Sequence, residues 1–469
     1  MGSTCACNIL SFLFRDNVLH PGSAEYNTQA TAYFDLREDL SPKCVFVPTS
    51  ENDLAKGVVT LDICQSQFAI RGGGHMPVPG AANTDGGVLI ALSAFTNITI
   101  AADHKSVQAG PALNWYDLYS ALEPYGLIAI GGRLKTIGIA GLSIGGGISY
   151  FSAKYGFAMD NIIAYDVVLA SGQVVTATAT SHSDLFWALK GGGSNFGIVT
   201  KFTFATYEAP LVSTMIGYFG EPTVPEFIQA VYDLAIYQDQ VDTGAGGVFY
   251  VGYAAATGMQ PLTLAAQIGN ETKPAVFENF TAIPSEFSSY NVMTLAQWTG
   301  SLDTPFQASR NLFGAHSIVA DNETMQSMYA AYKIATAEMA DVPGFIAELL
   351  FQPIPKSANT IAATNGIGNT WGMDDSKAYI YWGVFTAWSN AADDEKVKTW
   401  SENFVEQLHA ANVAAGTAID FMYLNDCSDD QKPFTGLPPA NLAKLKAIRA
   451  KYDPTLVFKR LSTGGYKLD

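Results

Sequence analysis

The run Arg71-Gly72-Gly73-Gly74-His75 places an imidazole at the end of a loop with almost no side-chain bulk. A neutral imidazole held this way is a nucleophile, a proton carrier or a metal ligand. By itself a histidine in a turn is more often a surface residue, so the argument rests on what surrounds it. Two more glycine clusters follow, from Gly131 to Gly147 and from Gly191 to Gly197. Glycine lets the backbone approach a ligand closely and aim successive N–H groups at it. One cluster is a weak signal, since most glycine runs are tight turns. Three together point to a long, phosphate-bearing cofactor held by backbone donors. There is no G-x-x-x-x-G-K-[ST] run, and no G-x-G-x-x-G joins a strand to a helix with an acidic residue about 20 positions later. Those absences argue against a nucleotide hydrolase and an ordinary dinucleotide site. A Ser-His-Asp hydrolase is disfavoured too, because no G-x-S-x-G elbow precedes a helix.

Rigid elements must position these loops. Ser50 caps a helix, with Asp53 three residues on and Leu54, Val58 and Leu61 at helical spacing. Phe68–Ile70 predicts a short strand that stops at the first glycine loop, and 88–92 predicts a buried strand. A helix is expected over 113–122 and a strand over 127–130. Segments 162–170 and 173–179 flank Ser171-Gly172 as a hairpin. A helix over 184–190 runs into the third glycine loop, which enters a strand over 198–205. Glycine density then falls. Residues 379–385 have strand propensity and a bulky face, and Leu442, Leu445, Ile448 and Tyr452 mark a helix ending at Asp453-Pro454. The reading is a cofactor domain over 1–205, an inserted substrate domain over 206–412 and a return to the cofactor domain over 413–469.

With 26 basic and 43 acidic residues the net charge is −17, which disfavours nucleic acid. No apolar run reaches the roughly 18 residues of a spanning helix, so no membrane segment is expected. Neither is a signal peptide visible at the N-terminus. The cysteines Cys5, Cys7, Cys44, Cys64 and Cys427 show no metal-ligand spacing, and no metal is expected. N-x-[ST] sequons begin at Asn97, Asn270, Asn279 and Asn322; with the acidic composition they favour the secretory pathway over a cytoplasmic location.

The first loop resembles the R-[SG]-G-G-H loop of FAD-linked oxidoreductases of the vanillyl-alcohol-oxidase superfamily, berberine bridge enzyme-like branch, particularly its fungal members. The resemblance continues through Gly131–Gly138 to Gly145-Gly146-Gly147, through Asp184–Gly193 with Asn195–Val199, through Tyr423-Leu424-Asn425, and into the tail from Tyr452 to Leu468. It implies an α+β fold: a two-part, PCMH-type FAD-binding domain with an inserted antiparallel sheet flanked by helices. It implies FAD bonded covalently to His75, with cofactor contacts from Arg71, Gly72, Gly73, Gly74, Gly132, Thr136, Ile137, Gly138, Gly141, Gly145, Gly146, Gly147, Gly197, Val199, Tyr423 and Asn425. Cys64 is expected to pair with Cys7 or Cys5, with Cys7 preferred.

Two departures from the family pattern matter. Leu134 stands where many members carry a cysteine bonded to flavin C6, so one covalent bond is expected. Ile137 stands where oxygen-reactive members usually have valine, which leaves the electron acceptor open between O2 and another. The family reaction is hydride transfer to flavin N5, with Tyr423 as the candidate acid–base group. The strand carrying Tyr379, Tyr381 and Trp382 is the expected substrate wall, with no carboxylate on it. That favours an apolar natural product, its alcohol, amine or activated C–H being oxidised. A flavin-bound cyclase without net redox change and a carbohydrate oxidase are the alternatives, and the chain is expected to act as a monomer or homodimer.

Overall fold

The computed structural model describes residues 1–364 and 366–469. Residues 1–205 form two sheets of more than two strands. The smaller runs in the order Val18–Leu19, Cys44–Phe46, Val88–Ala91, Phe68–Arg71, and the last three strands are parallel. Val88–Ala91 is buried along its whole length, as a strand covered on both faces must be. Phe68–Arg71 ends at the first glycine loop, so that loop lies at the carboxyl edge of parallel strands. The helix Glu51–Cys64 precedes it, and the Ser50 hydroxyl accepts from Asp53 N–H at its start. The second sheet is antiparallel and includes Ile162–Val168, Val174–Thr178 and Ile198–Ala205. Gly172, at φ +80°, closes the hairpin between the first two.

The N-terminal helix Gly2–Leu13 is tied down by two disulfides, Cys5–Cys64 and Cys7–Cys44. The expected Cys7–Cys64 pair is therefore corrected. Two residues apart on a helix means about 200° around its axis, so Cys5 and Cys7 cannot face the same partner. Cys5 meets the end of the neighbouring helix, and Cys7 meets the strand Cys44–Phe46.

After Ala205 the chain builds a larger sheet of eight strands: β1 Val212–Phe219, β2 Ala245–Ala254, β3 Gly258–Ile268, β4 Ser285–Met293, β5 Arg310–Val319, β6 Ile346–Ile354, β7 Tyr379–Trp388 and β8 Ala418–Ile419. Their spatial order is β4-β1-β3-β2-β6-β7-β5-β8, antiparallel throughout. Helices Val224–Val241, Asn322–Ala337 and Asp394–Ala415 pack on one face. Strand alternation decides which residues meet them. On β6, Ala347, Leu349 and Phe351 join the helix-side core, while Ile346, Glu348 and Leu350 point the other way.

The last segment returns to the first sheets. Helix Pro439–Tyr452 lies against helix Ser183–Ala188, Val457, Phe458 and Leu461 share a core with Phe68, and Ser462 pairs with Phe68 in an isolated bridge. Within the second glycine stretch a short helix, Ile139–Ile144, appears that the sequence reading passed over. No helix among the described residues is long and apolar enough to cross a membrane.

Candidate active site

The glycine loops and the inner face of the large sheet enclose a cavity of about 760 Å³. Gly72, Gly73, Gly74, His75, Ile137, Gly138, Gly141, Gly197, Val199, Tyr423 and Asn425 all lie on its wall. The first two loops meet backbone to backbone, since a Cβ on Gly73 would stand 2.5 Å from Gly138 Cα. A Cβ on Gly141 would meet nothing within 4 Å, so bare backbone faces the open space there.

Several expected cofactor contacts lie elsewhere. Gly132 packs under Trp115, Gly145 under Asn425, Gly146 under Trp371 and Gly147 against Ala158, and none lines the cavity. They are glycines because a side chain would collide with those neighbours. Arg71 is buried and turned away, donating to the carbonyl and side chain of Gln29 with its guanidinium 5.6 Å from the Tyr33 ring. It anchors the loop. Thr136 sits behind the wall and bonds to Thr304.

His75 lies flat on Phe34, with ring centroids 4.3 Å apart and 8° between planes, and meets the edge of Phe306 at 5.9 Å. Its Nε2 is 3.3 Å from Thr304 Oγ1. Burial pulls its pKa down to about 4, against a smaller opposing pull from its own carbonyl. The ring is therefore neutral, the form in which imidazole is nucleophilic.

The C-terminal segment supplies a polar corner. Tyr423 Oη accepts from Ile148 N–H at 3.2 Å and from Asn425 Nδ2 at 2.9 Å. Burial, and then Asp426, push its pKa up to about 12. Asp426, on the cavity wall, is raised by burial to about 6, and its carboxylate accepts from Tyr381 Oη at 2.8 Å.

The aromatic wall is not the one expected. Trp382 points into the helix-side core, because neighbouring residues on a strand face opposite ways. Tyr379 donates to Asp374 O at 3.0 Å, and Tyr381 lies edge-on behind Tyr423 at 5.4 Å; neither lines the cavity. Phe385, further along the same strand, does, together with Phe313, Tyr218 and Tyr250.

Sequence reasoning missed Glu348. It lies on β6 beside the strand searched for a carboxylate, in register with Gly252 and Phe385, and it faces the cavity. Burial raises its pKa to about 7. The signal was available, since Glu348 interrupts an otherwise apolar run from Phe345 to Phe351.

Bare-backbone loops, a neutral histidine and a buried carboxylate on the facing sheet line one cavity, an arrangement that suits a flavin-dependent oxidoreductase. The lining fits FAD: bare glycine backbone, open at Gly141, can face phosphates, and aliphatic and aromatic side chains can cover a ring system. Sequence comparison agrees. Residues 42–178 match the FAD binding domain family. An FAD-dependent monooxygenase, prx3, of Penicillium roqueforti is 31% identical, over 99% of this chain and 93% of its own length. The bifunctional solanapyrone synthase of Alternaria solani is 28% identical, over 100% of this chain and 90% of its own length. The fold matches 6-hydroxy-D-nicotine oxidase from Arthrobacter nicotinovorans with a TM-score of 0.80 at 21% identity, covering 96% of this chain and 97% of the other. It also matches a glucooligosaccharide oxidase from Acremonium strictum, whose FAD is described as 6-S-cysteinyl, 8α-N1-histidyl, with a TM-score of 0.77 at 20% identity over 98% and 99% of the two chains. The chain belongs to the FAD-dependent oxidoreductase family of that monooxygenase and is an FAD-linked oxidoreductase, with the fold of these flavin oxidases.

Proposed function

We propose that this enzyme holds one FAD covalently at His75 and oxidises an alcohol, amine or activated C–H of a small, apolar natural-product substrate, with Glu348 as the base. The carrying observation is Glu348: a carboxylate whose pKa of about 7 suits proton abstraction near neutral pH, set on the wall that faces the glycine loops. Bound FAD supplies the two-electron acceptor, taking hydride at N5. Glu348 takes the proton that leaves the substrate heteroatom as its C–H bond breaks.

Tyr423 serves as a donor. Its oxygen already accepts two hydrogen bonds and its proton stays on at neutral pH, so its O–H is available to a substrate or flavin oxygen. The sheet side of the cavity is mainly apolar, with Ile216, Val248, Leu262 and Leu264 beside Tyr218 and Tyr250. A sugar ring there would leave hydroxyls unpaired, which disfavours carbohydrate as substrate. Leu134, on the cavity wall, has no thiol, so His75 is the single attachment point. Asn97, Asn270 and Asn279 are exposed, and with the two disulfides they support a secretory route.

Anaerobic mixing with benzylic and allylic alcohols and amines tests the reaction. Bleaching of the flavin absorbance by members of the panel is expected. Turnover of a substrate with no bleaching would favour a non-redox cyclisation instead.

A further inference from the structure

Among the described residues, Arg133 is the only lysine or arginine on the cavity wall. Tyr150 Oη donates to its carbonyl at 3.3 Å, which fixes the backbone there. Its Nη1 donates to Gln352 Oε1 on β6 and to Gly247 O on β2, the latter at 3.3 Å. The guanidinium is therefore held by the substrate-domain sheet, although its backbone belongs to the second glycine stretch.

A guanidinium carries its N–H donors in a fixed fork. Here only Nη1 is engaged, and both of its acceptors are neutral amides. Arg37, Arg310 and Arg460 each pair with a carboxylate. Among the described residues Arg133 makes no such pair. Its charge reaches Tyr423 and Asp426, so it stands in the polar corner, but the Asp426 carboxylate accepts from Tyr381 instead. A half-buried cation with only neutral acceptors leaves its charge uncompensated, and that favours an anion in the cavity.

We propose that Arg133 determines specificity by binding an anionic oxygen, a carboxylate or an enolate, on the otherwise apolar substrate. The inference rests on the reading of this cavity as the substrate site. Nε and Nη2 are the donors left to meet the anion, in parallel where it is a carboxylate. Gln352, which holds the guanidinium, shares a face of β6 with Glu348 and lies about 13 Å from it along the strand. The anionic oxygen thus sits at the end of the substrate away from the group that Glu348 deprotonates. The chain's net charge of −17 repels anions in general, so a preference for an anionic ligand has to come from this wall. Hydrogen bonds to a charged group of this kind are worth about 10- to 100-fold in affinity.

The test is calorimetric titration of the flavin-loaded enzyme at pH 7 with two pairs of ligands that carry no alcohol or alkylamine to oxidise. One pair is cinnamate and cinnamamide, the other the enolate of 4-hydroxycoumarin and its neutral analogue 4-aminocoumarin. Wild type is expected to bind the anion of at least one pair about 10- to 100-fold more tightly than its neutral partner. The pair that shows the preference assigns carboxylate or enolate. Arg133→Gln should bind the two members of that pair alike, while Arg133→Lys keeps part of the preference. Equal affinities within both pairs, no binding of either anion, or a preference that survives in Arg133→Gln would overturn the proposal. If the preference survives while the flavin reduction potential shifts, the guanidinium serves the flavin and not the substrate. The wild-type comparison can refute the proposal even if the glutamine variant does not fold. Because none of these ligands needs to be oxidised, an anion preference in an enzyme that no substrate bleaches would overturn the redox reading alone.

Discussion

Glu348 on β6 stands opposite Phe385 on β7 in the antiparallel register, and both side chains face the cavity. An apolar neighbour of this kind gives the carboxylate no partner, which is why burial alone raises its pKa to about 7. Since the base must be ionised, kcat/KM should rise with pH, reach half its maximum near 7 and level off above. Glu348→Gln should lose about 10²- to 10⁴-fold in rate and lose that limb. A wild-type profile flat from pH 5 to 9 would argue against Glu348 as base.

Glu348 also makes a stability prediction. Its folded pKa of about 7 lies above the ordinary 4.5, so the folded state binds the proton more tightly. Its contribution is then fully favourable below pH 4.5 and is lost as pH rises through 7. Thermal melts should show Glu348→Gln gaining on wild type at pH 8 and losing that advantage at pH 4.

Tyr423→Phe removes the acceptor shared by Ile148 N–H and Asn425 Nδ2. Leaving buried donors unpaired should cost about 1–3 kcal/mol in denaturant titrations. With a pKa of about 12, Tyr423 does not set the acid limb. The variant should therefore turn over more slowly with the inflection near pH 7 unmoved.

Leu134 and Ile137 both line the cavity. Ile137→Val should speed reoxidation of the reduced enzyme by oxygen severalfold in stopped flow, because it opens space beside the flavin. Leu134→Cys combined with His75→Ala should keep flavin on the denatured protein through a thioether, where His75→Ala alone releases it.

Non-reducing peptide mapping should return Cys5–Cys64 and Cys7–Cys44. These bridges close loops with sequence separations of 59 and 37, and removing either should cost about 2–4 kcal/mol.

Much of the cofactor half was legible because its signals are local. The Ser50 cap, the Gly172 turn and the strand Ile198–Ala205 are each set by a few adjacent residues. What escaped depends on contacts distant in sequence. Gly145 and Asn425 are adjacent only in the fold, so a packing glycine reads like a phosphate-binding one. Trp382 was put on the wrong face because bulk alone does not give the phase of a strand; Glu348 and its alternating neighbours fix that phase one strand away. The pairing of Cys5 and Cys7 needed the rotation of a helix that was not read.

The most direct test of the account is acid precipitation of the purified protein followed by peptide mapping. The pellet should stay yellow, with a single flavin-bearing peptide that contains His75. Colour passing entirely to the supernatant, or a flavin peptide lacking His75, would contradict the account.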